Sequence, residues 1–272
     1  MKILKRWIIR ELSRKAGPYL KSYGLLRTVK YKSALVWAPQ GKRVLVLAPH
    51  MDDEVIGCGG ALVKHIRNGA EAKVVFMTDG RFGSKAIQEL SPEELKKRQT
   101  RLVQTRKEEA RLALRTLGVQ ESVFLDAEDG QLSSTAAIRE RLAKILNSMQ
   151  PDVVYLPFFL EGHPDHKATS QILVDATRDS KLEFDCLGYE VWTPLFPNCL
   201  VDIDDVVEVK KEALNHYKSQ LTDVDYLHSS LGLNAYRSSA LLDCQSRYVE
   251  AFFQAPLKDY RKLHQRFCEC EN

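Results

Sequence analysis

The sequence has few cysteines, and their spacing fits neither a disulfide framework nor a structural metal site. The 272-residue chain contains six cysteines, with no pair at C-x-x-C spacing. A disulfide-rich secreted domain is therefore excluded, and the cysteines are expected to be reduced. This favours a cytoplasmic protein.

Long apolar runs are also missing. No run approaches the length needed to cross a bilayer, and residues 7–9 near the N-terminus are too short for a signal-peptide core. Internal repeats, low-complexity segments and a dividing linker are absent as well. With 44% hydrophobic and 28% charged residues, the composition is typical of one globular domain.

Positive charge is concentrated at the N-terminus. Apolar residues at 3, 4, 7, 8 and 12 recur at helical spacing between Lys and Arg residues, which predicts a basic amphipathic helix within an extension over residues 1–40. Two interpretations stay open. Residues 1–16 contact the inner face of a membrane peripherally, or the helix packs on protein.

From residue 41 onward, short apolar segments alternate with helical patterns. Strands are predicted at 44–48, 72–77, 122–125, 153–156, 188–192 and 200–203. Helices are predicted at 53–68, 92–117, 135–149, 165–178 and 205–219. This order predicts an α/β fold, with a mostly parallel sheet covered by helices on both faces. The domain is expected to span residues 41–255, followed by a C-terminal tail over 256–272.

Two clusters of histidine and acidic residues follow apolar strands. The first is His50-Met51-Asp52-Asp53-Glu54, and the second covers residues 163–166. Charged side chains are rarely buried unless they are paired or bound to a metal. Because ligands bind at the carboxyl ends of parallel strands, both clusters are expected to line one crevice.

The residue types of these clusters predict a catalytic metal site. His50 and Asp53 stand three apart where a strand turns into a helix, and His166 supplies a third ligand. Such nitrogen and oxygen ligands suit Zn²⁺ or another divalent metal. Three protein ligands leave a position for water, as a catalytic site requires.

The neighbouring residues have the chemistry that hydrolysis needs. Asp52 adjoins the proposed ligands and is the candidate general base. His163 is expected to stabilise the developing oxyanion or act as an acid, with Asp165 orienting its imidazole. The predicted reaction is hydrolysis of an amide or ester by metal-activated water.

Simpler interpretations exist for single motifs. Asp52, Asp53 and Asp165 are also suitable helix N-caps, although capping does not explain both clusters at strand ends. Gly57-x-Gly59-Gly60 lies too far beyond its strand for a dinucleotide loop. These glycines are expected to allow close packing of the helix on the sheet.

The two clusters together resemble the LmbE-like, or PIG-L, family of zinc-dependent de-N-acetylases. The likeness runs from about residue 42 to 255 and includes Gly57-Cys58-Gly59-Gly60. It implies a Rossmann-like sheet and removal of an N-acetyl group from an N-acetylglucosamine-type sugar or glycoconjugate. It also implies zinc bound by His50, Asp53 and His166, and the same roles for Asp52, His163 and Asp165. Met51 departs from the family, which commonly has proline there. The loop is therefore expected to be looser, but the enzyme is expected to stay active.

Two other functions fit this sequence. One is an amidase acting on another glycoside or a thiol-sugar conjugate, and the other is a non-catalytic carbohydrate-binding relative. The expected partner is a small-molecule or lipid-linked amino sugar, and no nucleic-acid partner is expected. Substrate contact and surface ion pairing are equally good interpretations of three residues: Asp79, Arg81 and Arg106. Structural or exposed positions are predicted for Glu54, His65, Asp126, Asp129, His216 and His228.

Overall fold

A computed structural model describes residues 35–83, 91–239 and 245–268 of the chain. The predicted basic helix near the N-terminus and the end of the predicted C-terminal tail lie outside the described residues. In the described part, no helix combines the length and apolar character that a membrane span requires.

The described residues contain one eight-stranded, mostly parallel sheet. Its strands lie in the order β1-β7-β8-β6-β5-β2-β3-β4, and β8 runs antiparallel to its neighbours β6 and β7. All other neighbouring strands are parallel. The strands are β1 (Leu35–Val36), β2 (Arg43–Ala48), β3 (Glu71–Thr78), β4 (Glu121–Ala127), β5 (Val153–Pro157), β6 (Asp185–Tyr189), β7 (Cys199–Asp202) and β8 (Val249–Pro256).

The central strands are apolar throughout because helices cover both faces of the sheet. In β2, Val44 and Val46 belong to the core on one face, whereas Leu45 and Leu47 belong to the core on the other. All four side chains are fully buried. The helices are α1 (Asp53–Arg67), α2 (Pro92–Leu117), α3 (Ala136–Met149), α4 (Pro164–Ala176), α5 (Val207–Leu214), α6 (Lys218–Leu221), α7 (Tyr226–Ser238) and α8 (Leu257–Cys268).

The helices divide between the two faces. Leu62 of α1, Leu114 of α2 and Leu214 of α5 belong to the first core, whereas α3, α4 and α8 contribute to the second one. This arrangement confirms the predicted α/β class, with a mostly parallel sheet between helical layers.

Helix α1 breaks at Cys58, whose φ of −146° is not helical. The carboxylate of Glu250 accepts hydrogen bonds from the backbone N–H groups of Gly60 and Ala61, both at 2.8 Å, so it caps the second half of the helix. A Cβ at Gly60 would lie 2.6 Å from the side chain of Ile203. The glycines therefore serve close packing, as predicted.

Several elements differ from the sequence predictions. Strand β1 lies inside the predicted N-terminal extension and pairs with β7. Helix α8 occupies most of the predicted tail, and its Tyr260 is fully buried. Strand β8 and helix α7 were not predicted, because the pattern of strand-helix alternation stops after the helix that follows β7. Cys58, Cys186 and Cys199 are buried and free.

Candidate active site

The candidate site lies where the connections of the sheet change direction. Strand β2 is followed by β3 on one side, and β5 is followed by β6 on the other. Such a switch point opens a crevice at the carboxyl ends of the two central strands. Residues 50–53 follow β2 and residues 163–166 follow β5. The two predicted clusters therefore meet, and the rings of His50 and His163 are 4.8 Å apart between centroids.

Asp53 contacts both histidines that were predicted to bind metal with it. Its Oδ2 lies 3.3 Å from Nδ1 of His50 and 3.3 Å from Nε2 of His166. Burial alone would raise the pKa of Asp53, but the two imidazoles lower it far below its ordinary value. Asp53 is therefore a carboxylate, which is the form that binds a cation.

The chemistry of His166 fits a metal ligand. The residue is fully buried, and neither ring nitrogen has a hydrogen-bond partner in the described part of the chain. Buried polar atoms are rarely left without a partner. Glu161 Oε2, also buried without a hydrogen bond, lies 3.9 Å from Nδ1 of His166. Carboxylates in this position commonly orient metal-binding histidines.

Two groups of three side chains could hold a metal in the described structure. One is His50, His163 and His166, and the other is His50, Asp129 and Asp165. Neither includes Asp53, although Asp53 contacts two members of the first group. We favour the predicted set with Asp53, because it leaves His163 available for the substrate.

The second nitrogen of His50 faces two carboxylates. Nε2 lies 3.2 Å from Asp129 Oδ1 and 3.1 Å from Asp165 Oδ2. Although burial lowers the pKa of His50, the facing carboxylates raise it well above its ordinary value. The carboxylate of Asp165 also accepts hydrogen bonds from the backbone of Gly130 and Leu132, so it fixes the loop that carries Asp129. Asp165 thus orients His50, and not His163 as predicted.

His163 is oriented by the backbone instead. Its Nδ1 accepts a hydrogen bond of 3.2 Å from the backbone N–H of Asp165, where His163 caps helix α4. A neutral ring in this arrangement carries its proton on Nε2. Burial lowers the pKa of His163, and the nearby His50 and His166 lower it further. The ring is therefore a neutral N–H donor at the cavity.

Asp52 has an unusual backbone conformation. Its φ of 142° is rarely adopted by residues other than glycine, and such strain is found preferentially at functional sites. Glu54 Oε2 accepts the backbone N–H of Asp52 at 3.1 Å, and the hydroxyl of Tyr217 donates to Oε1 of Glu54. Burial raises the pKa of Glu54 to about 8. Through these hydrogen bonds Glu54 holds the turn that presents Asp52.

Arg106 supports the same turn from helix α2. Its guanidinium donates to the backbone oxygens of Met51 at 2.9 Å and Gly80 at 3.0 Å. Met51 is itself fully buried, so packing and this hydrogen bond fix the loop in which the family has proline. Burial raises the pKa of Asp52 to about 7, and the charge of Arg106 opposes this rise.

The cavity around these residues has a volume of about 230 Å³. Arg106 lines it, whereas Asp79 and Arg81 do not; these two pair with each other at 2.6 Å. Asp79 and Arg81 therefore form an ion pair outside the cavity, although Asp79 is buried and not at the surface as predicted. Further lining residues are Ile56, Phe82, Gly83, Gly130, Val191, Trp192, Gln220 and Tyr226.

Two residues of the site were missed in the sequence. Asp129 was predicted to be structural or exposed, but it is buried and faces His50. It follows β4 at the same sheet edge as the two clusters, so the rule applied to the other strand ends would have identified it. Glu161 stands two positions before His163, but the sequence gives no sign that its carboxylate turns toward His166.

Buried histidines and carboxylates at a switch point, with a further acid and an arginine beside them, are typical of metal-dependent hydrolases. A family model described as GlcNAc-PI de-N-acetylase (PIG-L) matches residues 45–177. Diacetylchitobiose deacetylase of Thermococcus kodakarensis is 30% identical over 200 residues, covering 67% of this chain and 71% of that protein.

Two further relatives have the same type of activity in their names. The 1D-myo-inositol 2-acetamido-2-deoxy-α-D-glucopyranoside deacetylase of Kineococcus radiotolerans is 28% identical over 176 residues, covering 52% of this chain and 47% of that protein. The structure of N,N'-diacetylchitobiose deacetylase from Pyrococcus horikoshii, in complex with an inhibitor, has a TM-score of 0.70 and 27% identity. It covers 89% of this chain and 94% of its own.

Similarity of this extent shows that the chain belongs to the PIG-L family of de-N-acetylases. The resemblance predicted from the two clusters is confirmed, and so is the predicted type of enzyme, a hydrolase acting on N-acetyl amides. The individual roles of the site residues stay predictions.

Proposed function

We propose that this protein is a metal-dependent hydrolase that removes the acetyl group from an N-acetylglucosamine-type sugar or glycoconjugate. The observation that carries the proposal is the contact of Asp53 with both His50 and His166. His50, Asp52 and Asp53 line one cavity. The names of the relatives support the substrate class, since they act on diacetylchitobiose or on an acetamido sugar linked to inositol.

The proposed metal ligands are His50, Asp53 and His166, with Zn²⁺ as the metal. Both ring nitrogens of His166 are buried without a hydrogen bond, and Asp53 is an ionised carboxylate, and both observations support this set. A bound divalent cation would polarise the amide carbonyl and lower the pKa of water, which supplies a nucleophile near neutral pH.

Asp52 and His163 would handle the protons and the negative charge. Asp52 takes a proton from the attacking water, and the Nε2–H of His163 stabilises the charge that develops on the carbonyl oxygen. The C–N bond then breaks, and Asp52 passes the proton that it took from the water to the leaving amine. Acetate and the free amino sugar are the products.

The test is acetate release from the methyl glycoside of N-acetylglucosamine. Protein stripped with a chelator should be inactive, and reloading with Zn²⁺ should restore activity at about one metal ion per chain. If protein with full metal occupancy released no acetate from any N-acetylated sugar, the proposal would be wrong. Hydrolysis of a different amide would then identify an amidase, and sugar binding alone a non-catalytic relative.

A further inference from the structure

A second cavity opens beside the candidate active site. Its volume is about 280 Å³, and it adjoins the cavity that contains the histidines. Four residues line both spaces: Ile56, Val191, Trp192 and Tyr226. The two cavities are therefore adjacent, with these four side chains forming part of both walls.

The walls of this second cavity are mainly apolar. Besides the shared residues, Val224, Leu233 and Ala251 contribute aliphatic surface. Trp192 is 51% exposed, and its ring lies edge-to-face against Tyr226 with the centroids 5.8 Å apart. Apolar and aromatic walls with few polar groups are typical of small-molecule sites.

The polar groups in the walls are mostly occupied by protein partners. Glu190 pairs with Arg237, which donates to both of its carboxylate oxygens. Asn234 accepts from Lys210 and donates to the backbone of Val249. Among the described residues that line the cavity, none offers an unpaired charge, so a charged ligand would be desolvated without compensation.

Ser230 is the exception among the buried polar groups of this wall. Its Oγ is buried and has no hydrogen-bond partner in the described part of the chain, and the residue is 5% exposed. Because it lines the cavity, a bound molecule can supply the missing partner. A buried hydroxyl is unfavourable until such a partner is present.

We infer that the second cavity binds an uncharged, mainly apolar aglycone of the amino sugar, with Ser230 hydrogen-bonded to an oxygen of the glycoside. The inference rests on the proposed deacetylase function. In N-acetylglucosamine the reacting amide is attached to carbon 2, and the glycosidic oxygen is on the adjacent carbon 1. With the amide at the histidines, the aglycone therefore begins near the wall of the first cavity, and Trp192 and Tyr226 in that wall also line the second cavity.

The substrate test compares three glycosides of N-acetylglucosamine: methyl, hexyl, and a carboxypentyl glycoside of similar length. We expect kcat/KM to be about 10- to 100-fold higher for the hexyl than for the methyl glycoside, because the chain buries apolar surface. The carboxypentyl glycoside should show no such gain, since its charge finds no partner. Equal values for hexyl and methyl, or for hexyl and carboxypentyl, would overturn the inference.

Variants on helix α7 test whether the preference for the hexyl glycoside arises in the second cavity. Ser229 lines the cavity and is exposed, so Ser229→Phe should fill the space without disturbing the core. In Ser229→Phe we expect the ratio of kcat/KM for the hexyl glycoside to kcat/KM for the methyl glycoside to fall toward one. Ala235→Phe is the matched control, because Ala235 is exposed on the same helix and does not line the cavity. Loss of the preference in both variants, or in neither, would contradict the assignment.

Direct binding separates this inference from the proposed function. Calorimetry with the three glycosides on metal-free protein measures affinity without hydrolysis. Tighter binding of the hexyl glycoside, weakened several-fold by Ser230→Ala, would support the cavity even if no acetate were released. Acetate release without any aglycone preference would support the deacetylase and reject the cavity.

Discussion

The guanidinium of Arg106 lies 3.7 Å from the carboxylate of Asp52, and both side chains are less than a tenth exposed. Arg106 therefore fixes the proposed base in two ways: it binds the backbone of Met51 next to it, and it places a positive charge beside its carboxylate. The planar, forked guanidinium reaches Met51 and Gly80 at once, which an ammonium group does not reproduce.

Arg106→Lys should therefore lower kcat even though the charge is kept. We expect a loss of about 100-fold at saturating substrate, since small displacements of a catalytic group have effects of this size. Metal content should stay at the wild-type level, because Arg106 contacts none of the proposed ligands. The measurements are steady-state kinetics and metal analysis of the purified variant.

Arg101→Lys is the matched control for this prediction. Arg101 lies on the same helix and is exposed, so the same chemical change should leave kcat unaffected. An equal loss in both variants would indicate a general effect on helix α2. Full activity of Arg106→Lys would show that Asp52 does not need the two hydrogen bonds from the guanidinium to the neighbouring backbone.

Asp52 and Asp53 are adjacent in sequence but have different proposed roles. Asp52→Asn should keep its metal and lose about 10²- to 10⁴-fold in kcat, the usual contribution of a general base. Asp53→Asn should lose most of its metal, because an amide is a poorer ligand than a carboxylate. Metal analysis beside the activity assay distinguishes the two. Equal metal loss in both variants would contradict the division of roles.

The sequence predicted that the candidate metal ligands meet, because they follow strands with clear apolar patterns. The meeting of His50, Asp53 and His166 at a common edge follows from the strand order of an α/β sheet. Arg106 was harder to assign, since it lies in a helix that is otherwise rich in exposed charge. Only the packing of α2 against the sheet shows that this one arginine points inward.

The second cavity was not predictable in the same way. Its wall includes helix α7 and strand β8. The sequence patterns of both elements are weak compared with those of the alternating strands and helices before them. The antiparallel insertion of β8 between β6 and β7 is a long-range pairing that local propensity does not encode.

His65 should make stability depend on pH. Burial lowers its pKa to about 4 from an ordinary value of 6.5. Between these values the unfolded chain binds the proton and the folded one does not, so stability falls as the pH falls. At about pH 5 the titration of His65 is expected to lower the free energy of unfolding by about 2 kcal/mol. Above about pH 6.5 this loss disappears.

His65→Gln removes this titration while keeping a partner for the hydroxyl of Tyr155. Urea unfolding at about pH 5 and about pH 7.5 should show a smaller difference between the two pH values than in the wild type. His228→Gln, at an exposed position of α7, should keep the wild-type difference. If His65→Gln showed the same difference in stability between the two pH values as the wild type, the pH dependence would belong to other groups.

Lys210 and Glu250 form a buried ion pair at 2.7 Å that fixes the break in helix α1. Lys210 also donates to the backbone oxygen of Ile56 on one side of the break, and Glu250 caps Gly60 on the other. Lys210→Met leaves the carboxylate buried without its counter-charge. We expect it to lower the free energy of unfolding by about 3–5 kcal/mol.

The neighbouring Lys211 provides the control, because its pair with Glu208 is of similar length but lies at the surface. Lys211→Met should change stability by less than about 1 kcal/mol. The double variant Lys210→Met with Glu250→Gln should be more stable than Lys210→Met alone, since the uncompensated charge is gone. If the double variant were less stable than the single one, the cap on Gly60 would outweigh the ion pair, and Glu250 would stabilise the helix break independently of Lys210.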